Sequence, residues 1–179
     1  MVGRTGCGLC GAESLEQALR LSEKRPANTS DLAKNTNPAI NEASSLVINA
    51  SSIIAAFHAI QTKQVLQKAT GATHACAWVG ADGEVQLLRE DVGRHNAMDK
   101  LIGALAKTSH KNDGFVLTSS RASVEMVQKV AIAGYTILAA ISAPTGLAIR
   151  VAEMYGVTLV GFLRENQFVI YTYAASIKS

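Results

Sequence analysis

Only three of the 179 residues are cysteine, and an odd number so small cannot form the disulfide framework of a secreted domain. Thiols kept free in a reducing cytoplasm are the expectation. Aromatic residues make up 5% of the chain and are scattered, so a platform for stacking nucleic-acid bases is excluded. The formal charge of +3 is too weak for a nucleic-acid groove, although it favours a phosphate-bearing ligand. Apolar runs such as Val157–Leu163 fall far short of the length that crosses a bilayer. Met1-Val2-Gly3-Arg4-Thr5 leads into glycine and cysteine with no apolar segment, so no secretory signal is expected.

What is present is the composition of a globular protein, 48% hydrophobic and 17% charged. The chain divides near residue 44. Residues 1–43 hold Gly6-Cys7-Gly8-Leu9-Cys10-Gly11, a polar helical stretch over Glu13–Lys24, and a linker rich in Asn, Ser, Thr and Pro over Arg25–Asn41. Residues 44–179 read as one α/β domain. Leu46–Thr70 has helical character and stops at Gly71. Ala75–Val79 and Val85–Leu88 flank the turn Ala81-Asp82-Gly83, which predicts a hairpin. Met98, Leu101, Ile102 and Leu105 define one face of a helix.

Alternation follows. Phe115–Thr118, Ile137–Ile141 and Thr158–Leu163 read as buried strands. Between them lie helices over Ala122–Ala133 and around Leu147, Val151, Met154 and Tyr155, with stops at Gly134 and Gly156; Phe168–Thr172 reads as an edge strand. Strand-helix-strand-helix-strand with continuous apolar strands predicts a mostly parallel sheet between two helical layers, a three-layer α/β/α class.

Three clusters carry chemistry. Cys7 and Cys10 form a Cys-x-x-Cys pair bounded by glycines, which let another molecule approach the sulfur. Two thiols at this spacing can form a disulfide, share a metal or carry a persulfide. Zinc would need two further ligands, and Cys76, two residues from His74 in a predicted strand, is the one other cysteine; no structural metal is expected. The second cluster, Glu90 to Lys100, packs polar side chains at a strand-helix junction, with Asp91, Arg94 and His95 as pocket candidates. Asp91 could equally cap the helix, and Glu90 could pair with Arg94 or Lys100.

The third cluster follows from architecture, since ligands bind beyond the carboxyl ends of parallel strands, where helix N-termini point. Three loops belong there: Thr118-Ser119-Ser120-Arg121, Ser142-Ala143-Pro144-Thr145-Gly146 and Arg164-Glu165-Asn166-Gln167. Arg121 and Arg164 bring guanidinium forks suited to phosphate. Ser120 and Thr145 would serve as ordinary helix caps as well.

Glycine-bounded Cys7 and Cys10, the run Glu90-Asp91-Val92-Gly93-Arg94-His95-Asn96-Ala97 with Asp99-Lys100, Thr118-Ser119-Ser120-Arg121 and Gly161-Phe162 together resemble the formate dehydrogenase accessory sulfurtransferase (FdhD) family. The resemblance implies a fold like cytidine deaminase, a homodimer, and transfer of sulfane sulfur from a cysteine desulfurase to the molybdenum bis(guanine dinucleotide) cofactor of formate dehydrogenase. It makes Cys7 the persulfide carrier, with Cys10 as the second cysteine. It also implies cofactor binding through Phe162-Leu163-Arg164-Glu165-Asn166-Gln167. The family carries a substantial segment before the cysteine motif, which here lies almost at the start. Deamination is not expected, because the His-x-Glu and Pro-Cys-x-x-Cys signature is missing. Two other functions fit the same residues: a non-catalytic chaperone for the cofactor, and a zinc-stabilised nucleotide-binding module.

Overall fold

The computed structural model describes residues 46–108 and 113–179. Cys7, Cys10, the helix over Glu13–Lys24 and the linker lie outside the described residues.

The predicted hairpin forms between β2 (His74–Gly80) and β3 (Val85–Asp91), paired antiparallel with His74 opposite Asp91. Then come α3 (Arg94–Leu105), β4 (Gly114–Thr118), α4 (Val124–Ile132), β5 (Ile137–Ala140), α5 (Gly146–Tyr155), β6 (Thr158–Gly161) and β7 (Val169–Ile170). The six-stranded sheet has the order β3-β2-β4-β5-β6-β7. Strands β4, β5 and β6 are mutually parallel, while β2 is antiparallel to β3 and β4, and β7 to β6. Four of the six strands, β3 to β6, therefore share one direction. The sheet is thus mixed, parallel through its middle and antiparallel towards both edges. A hairpin loop is too short to return the chain to the same edge, so β2 has to run against β3.

Sheet residues alternate cleanly between two cores. Cys76, Trp78, Val116, Leu138 and Leu159 pack under α3, α4 and α5. Ala77, Val79, Phe115, Leu117, Ala139 and Val160 pack on the other side with Ile53, Ala56, Phe57 and Ile60. Those last four belong to α1 (Ala50–Lys63), spaced at 3, 4 and 7 residues as a buried helix stripe requires. This is the three-layer α/β/α arrangement, with three helices on one face and α1 on the other. Each fully buried Trp, Phe, Leu or Ile contributes roughly 1.5–3 kcal/mol, so these two alternating sets dominate the stability of the sheet.

The stretch expected as one helix over Leu46–Thr70 is divided. Ile48–Asn49 forms a short strand, β1, parallel to β8 (Ile177–Lys178), and the helix breaks at Gln64 before α2 (Val65–Thr70). Gln64 has ψ 88, outside the helical range, and Gly71 ends α2 in the left-handed conformation. Gly114 starts β4 because an added Cβ would lie 2.0 Å from the Val79 carbonyl oxygen across the strand pair.

Candidate functional site

The sheet register gathers one functional edge. The carboxyl ends of β3, β4, β5 and β6 meet the amino end of β2, since Cys76 pairs with Thr118 and His74 with Asp91. The N-termini of α3, α4 and α5 open at this same edge. Backbone bonds join its loops: Ile141 N donates to Thr118 O, Thr145 N to Ala122 O, Phe162 N to Ser142 O, and Leu163 N to Ala140 O.

Arg94 is the first residue of α3, and its buried Nε makes no hydrogen bond. Among the described residues it forms no ion pair. The nearby acids have other partners. Asp91 pairs with Lys100 Nζ at 2.5 Å and accepts from Gly93 N (2.9 Å) and Asn96 Nδ2 (3.2 Å). The bonds from Lys100 and from the Gly93 amide hold its carboxyl down at about 2. Glu90 accepts from the Leu66 and Gln67 amides at 2.9 and 2.8 Å and from the Thr73 hydroxyl at 3.1 Å. It therefore caps α2 rather than pairing with Arg94 or Lys100 through its side chain; Lys100 Nζ reaches only the Glu90 carbonyl, at 3.3 Å.

An uncompensated guanidinium of this kind suits an oxyanion. Its charge is felt by both neighbouring histidines. Burial first, and Arg94 second, hold the His74 and His95 rings below the usual histidine range. His95 Nε2 lies 3.4 Å from Ser123 Oγ and 3.9 Å from Glu125, at the start of α4. Both rings are therefore predominantly neutral near pH 7.

Ser119 Oγ accepts from Ala75 N at 2.9 Å, while Ser119 N donates back to Ala75 O. Ser120 is 4% exposed, and its hydroxyl is engaged with Thr118 Oγ1 and the Arg121 carbonyl, both at 3.0 Å. Its side chain is thus a strut of the loop, turned away from solvent. Arg121 is exposed at the turn that follows.

Among residues 162–167, Leu163 is 0% exposed and packs into the α1-side core, so its side chain cannot meet a ligand. A strand end must anchor itself in the core before it can present a loop, and Leu163 is that anchor. Phe162 is 42% exposed and sits at φ 52, a left-handed conformation unusual for a bulky residue. Arg164 Nη1 donates to Ile141 O and Leu163 O, each at 2.8 Å, and Arg164 N donates to Gln167 O. Glu165, Asn166 and Gln167 are exposed on this turn.

A cavity of about 390 Å³ opens beside this cluster, lined by Gln64, Gln67, Thr73, His74 and Ser119, with Gly71–Ala72 at its rim. Of these, only Ser119 was a candidate from sequence. His74 carried a faint signal, a histidine at the first position of a strand entering the site edge. Gln64 and Gln67 carried none, since a glutamine in a helical run looks like solvated surface.

Cys76, by contrast, is 0% exposed and hydrogen-bonded to Thr118 Oγ1 at 3.5 Å. Burial pushes its thiol up to about 12, so it is a protonated core residue and no nucleophile. Among the described residues no group of three His, Cys, Asp or Glu is placed to hold a metal ion. No helix among them is long and apolar enough to cross a membrane.

Comparison with known proteins gives the family. The profile of the FdhD/NarQ family matches residues 1–178. A sulfur carrier protein FdhD of Cupriavidus necator is 52% identical over 174 residues, covering 97% of this chain and 54% of that protein. One from Bordetella petrii is 48% identical over 179 residues, covering 99% and 58%. The chain thus spans about half the length of the curated relatives it matches. A crystal structure from Desulfotalea psychrophila, described as that of a formate dehydrogenase accessory protein, superposes with a TM-score of 0.70 at 28% identity. That match covers 75% of this chain and 60% of the other. The chain belongs to the FdhD/NarQ family.

Proposed function

We propose that this chain carries sulfane sulfur on Cys7 and delivers it to a molybdenum bis(guanine dinucleotide) cofactor destined for formate dehydrogenase. The observation that carries the reading is the burial of Cys76. Of the three cysteines, it alone is among the described residues, and it is sealed in the core as a protonated thiol. Sulfur transfer requires an accessible thiolate, which leaves Cys7 and Cys10. The relatives' own name, sulfur carrier protein, supports the same reading.

In the proposed step the Cys7 thiolate attacks the outer sulfur of a persulfide on a cysteine desulfurase. A new S–S bond forms at Cys7 as the old one breaks, and the desulfurase thiolate leaves. Attack of the Cys10 thiolate on the inner sulfur of the Cys7 persulfide would then release hydrosulfide to the cofactor and leave a Cys7–Cys10 disulfide. Arg94, with Arg121 and Arg164 on the same sheet edge, would hold the cofactor's phosphates, and the helix N-termini would add amide donors. As the resemblance implies, the working protein would be a homodimer, and its small, odd number of cysteines favours a reducing cytoplasm.

Intact-mass measurement after incubation with a cysteine desulfurase and cysteine tests the reading. The wild type should gain one sulfur atom and Cys7→Ala none. A Cys7→Ala protein that loads sulfur as well as the wild type would overturn the assignment. A chain that binds the cofactor but never loads sulfur would be a chaperone instead.

A further inference from the structure

Helix α2 buries none of its residues, and its two largest apolar side chains, Val65 and Leu66, are 71% and 49% exposed and belong to neither core. A six-residue helix that packs nothing has no hydrophobic reason to lie where it does. Polar ties hold it instead. Glu90 of β3 accepts from the Leu66 and Gln67 amides and from the Thr73 hydroxyl, so one carboxylate serves three donors. Gln67 Oε1 accepts from Thr73 N at 2.7 Å, and Lys68 Nζ donates to Thr62 O at 2.7 Å.

Both ends of α2 are points where the backbone turns. Gln64 leaves the helical range at ψ 88 and so separates α2 from α1. Gly71 sits at φ 67, where a Cβ would meet no heavy atom within 4 Å. That turn is therefore set by the backbone alone and not by crowding. Gln64, Gln67 and Gly71 all line the 390 Å³ cavity, with His74 and Ser119 across from them on the sheet edge. The flanking frame is fixed. Ile53, Ala56, Phe57 and Ile60 sink α1 into the core, and Lys63 Nζ ties its end to Val85 O at 3.1 Å.

We propose that α2 is a flap over this cavity, bounded by Gln64 and Gly71 and latched by Glu90. Released from Glu90, six residues cannot sustain a helix, so the flap opens by unwinding as one unit. Opening exchanges hydrogen bonds for water and exposes no core side chain. Closed, the flap walls the edge at His74 and Ser119; open, it admits solutes to that edge. The inference concerns access alone and stands whether or not Cys7 loads sulfur.

The first test is native-state hydrogen exchange on the whole 179-residue chain. The amides of Leu66, Gln67, Lys68, Gly71 and Thr73 should share one protection factor, insensitive to low urea. Those of Ile53, Phe57 and Ile60 should exchange only through global unfolding. Glu90→Gln should lower the shared factor about tenfold, the effect of losing charge-assisted bonds. Gly71→Ala, which penalises the left-handed turn of the closed flap, should lower it by a similar factor. Unchanged protection in α1 would show that both variants are folded. If Glu90→Gln affects Leu66 and Gln67 alone, Glu90 is a local cap and the flap is overturned. Exchange of the five amides together with α1 would overturn it as well. The second test reads access directly, in a chain with Cys7→Ser and Cys10→Ser. There Ser119→Cys should be alkylated by N-ethylmaleimide about tenfold faster once Glu90→Gln is added. Alkylation indifferent to Glu90→Gln would show that α2 does not gate the edge.

Discussion

The carboxylate of Glu90 accepts a hydrogen bond from the backbone amide of Gln67 at 2.8 Å, so strand β3 holds the short helix that walls the cavity. A six-residue helix cannot sustain itself in water, and α2 has no side-chain cap of its own. The cap is supplied from twenty-three residues away.

Removing that cap should loosen α2. Glu90→Ala is expected to cost about 1 kcal/mol, at the modest end for a cap because the carboxylate is largely solvent-exposed. Burial alone would raise the Glu90 pKa, but the bonds from Leu66, Gln67 and Thr73 outweigh it and the net shift is downward. The cap therefore acts in full above the ordinary carboxylate range and is lost as the pH falls through the lowered native value. The hydrogen-exchange protection factors of the Leu66 and Gln67 amides, corrected for the intrinsic rate at each pH, should fall in the variant and in acid. Unchanged protection would disprove the cap.

Asp91 should titrate at about 2, against an ordinary value of 3.8. Because its native pKa is depressed, its contribution is complete above 3.8 and disappears as the pH falls towards 2. NMR of the Asp91 carboxyl carbon would check the value, and Lys100→Met should raise it. Failure of the pKa to move in Lys100→Met would remove Lys100 as its cause.

Arg94→Ala should weaken binding of ribose 5-phosphate by about tenfold or more, the loss of one charge-assisted contact. The same change should raise the pKa of both His74 and His95, since the guanidinium helps to hold them down. Each histidine contributes fully to stability above its ordinary value of 6.5 and less as the pH falls below it, because the unfolded chain takes up the proton first. Arg94→Ala should therefore flatten the loss of stability on acidification. NMR titration of the two rings is the decisive measurement, and histidines that titrate as before would place Arg94 elsewhere.

Cys76 should resist alkylation in the native protein and react only on unfolding, whereas accessible thiols react at once. Cys76→Ala should leave sulfur loading intact while costing ~1 kcal/mol of stability for the small void it opens. Rapid native labelling at Cys76 would contradict its burial.

The hydrophobic periods of this chain decide a great deal locally. The hairpin turn at Ala81-Asp82-Gly83, the Met98–Leu105 face, three buried strands and the helix stops at Gly71 and Gly156 are all legible. Each depends on neighbours only a few residues away. The Cys7 and Glu90–Lys100 motifs likewise mark the family without any coordinates. The division between Asp91 and Glu90 is not legible, because two adjacent carboxylates look alike until one meets Lys100 and the other the amides of α2. Nor is the pairing of Ile48 with Ile177, which joins residues near opposite ends of the described chain.

Sequence alone thus determined the α/β class, the order of the strands and helices from β2 to β7, and the edge where loops must converge. These follow from residue spacing and from the handedness of the chain. Tertiary structure decided which of the converging side chains remain free to act. It buried Cys76 and Leu163, engaged Ser120 and Glu90, and left the Nε of Arg94 without a partner. Whether a polar group is satisfied depends on atoms brought together from distant parts of the chain, and no local pattern records that.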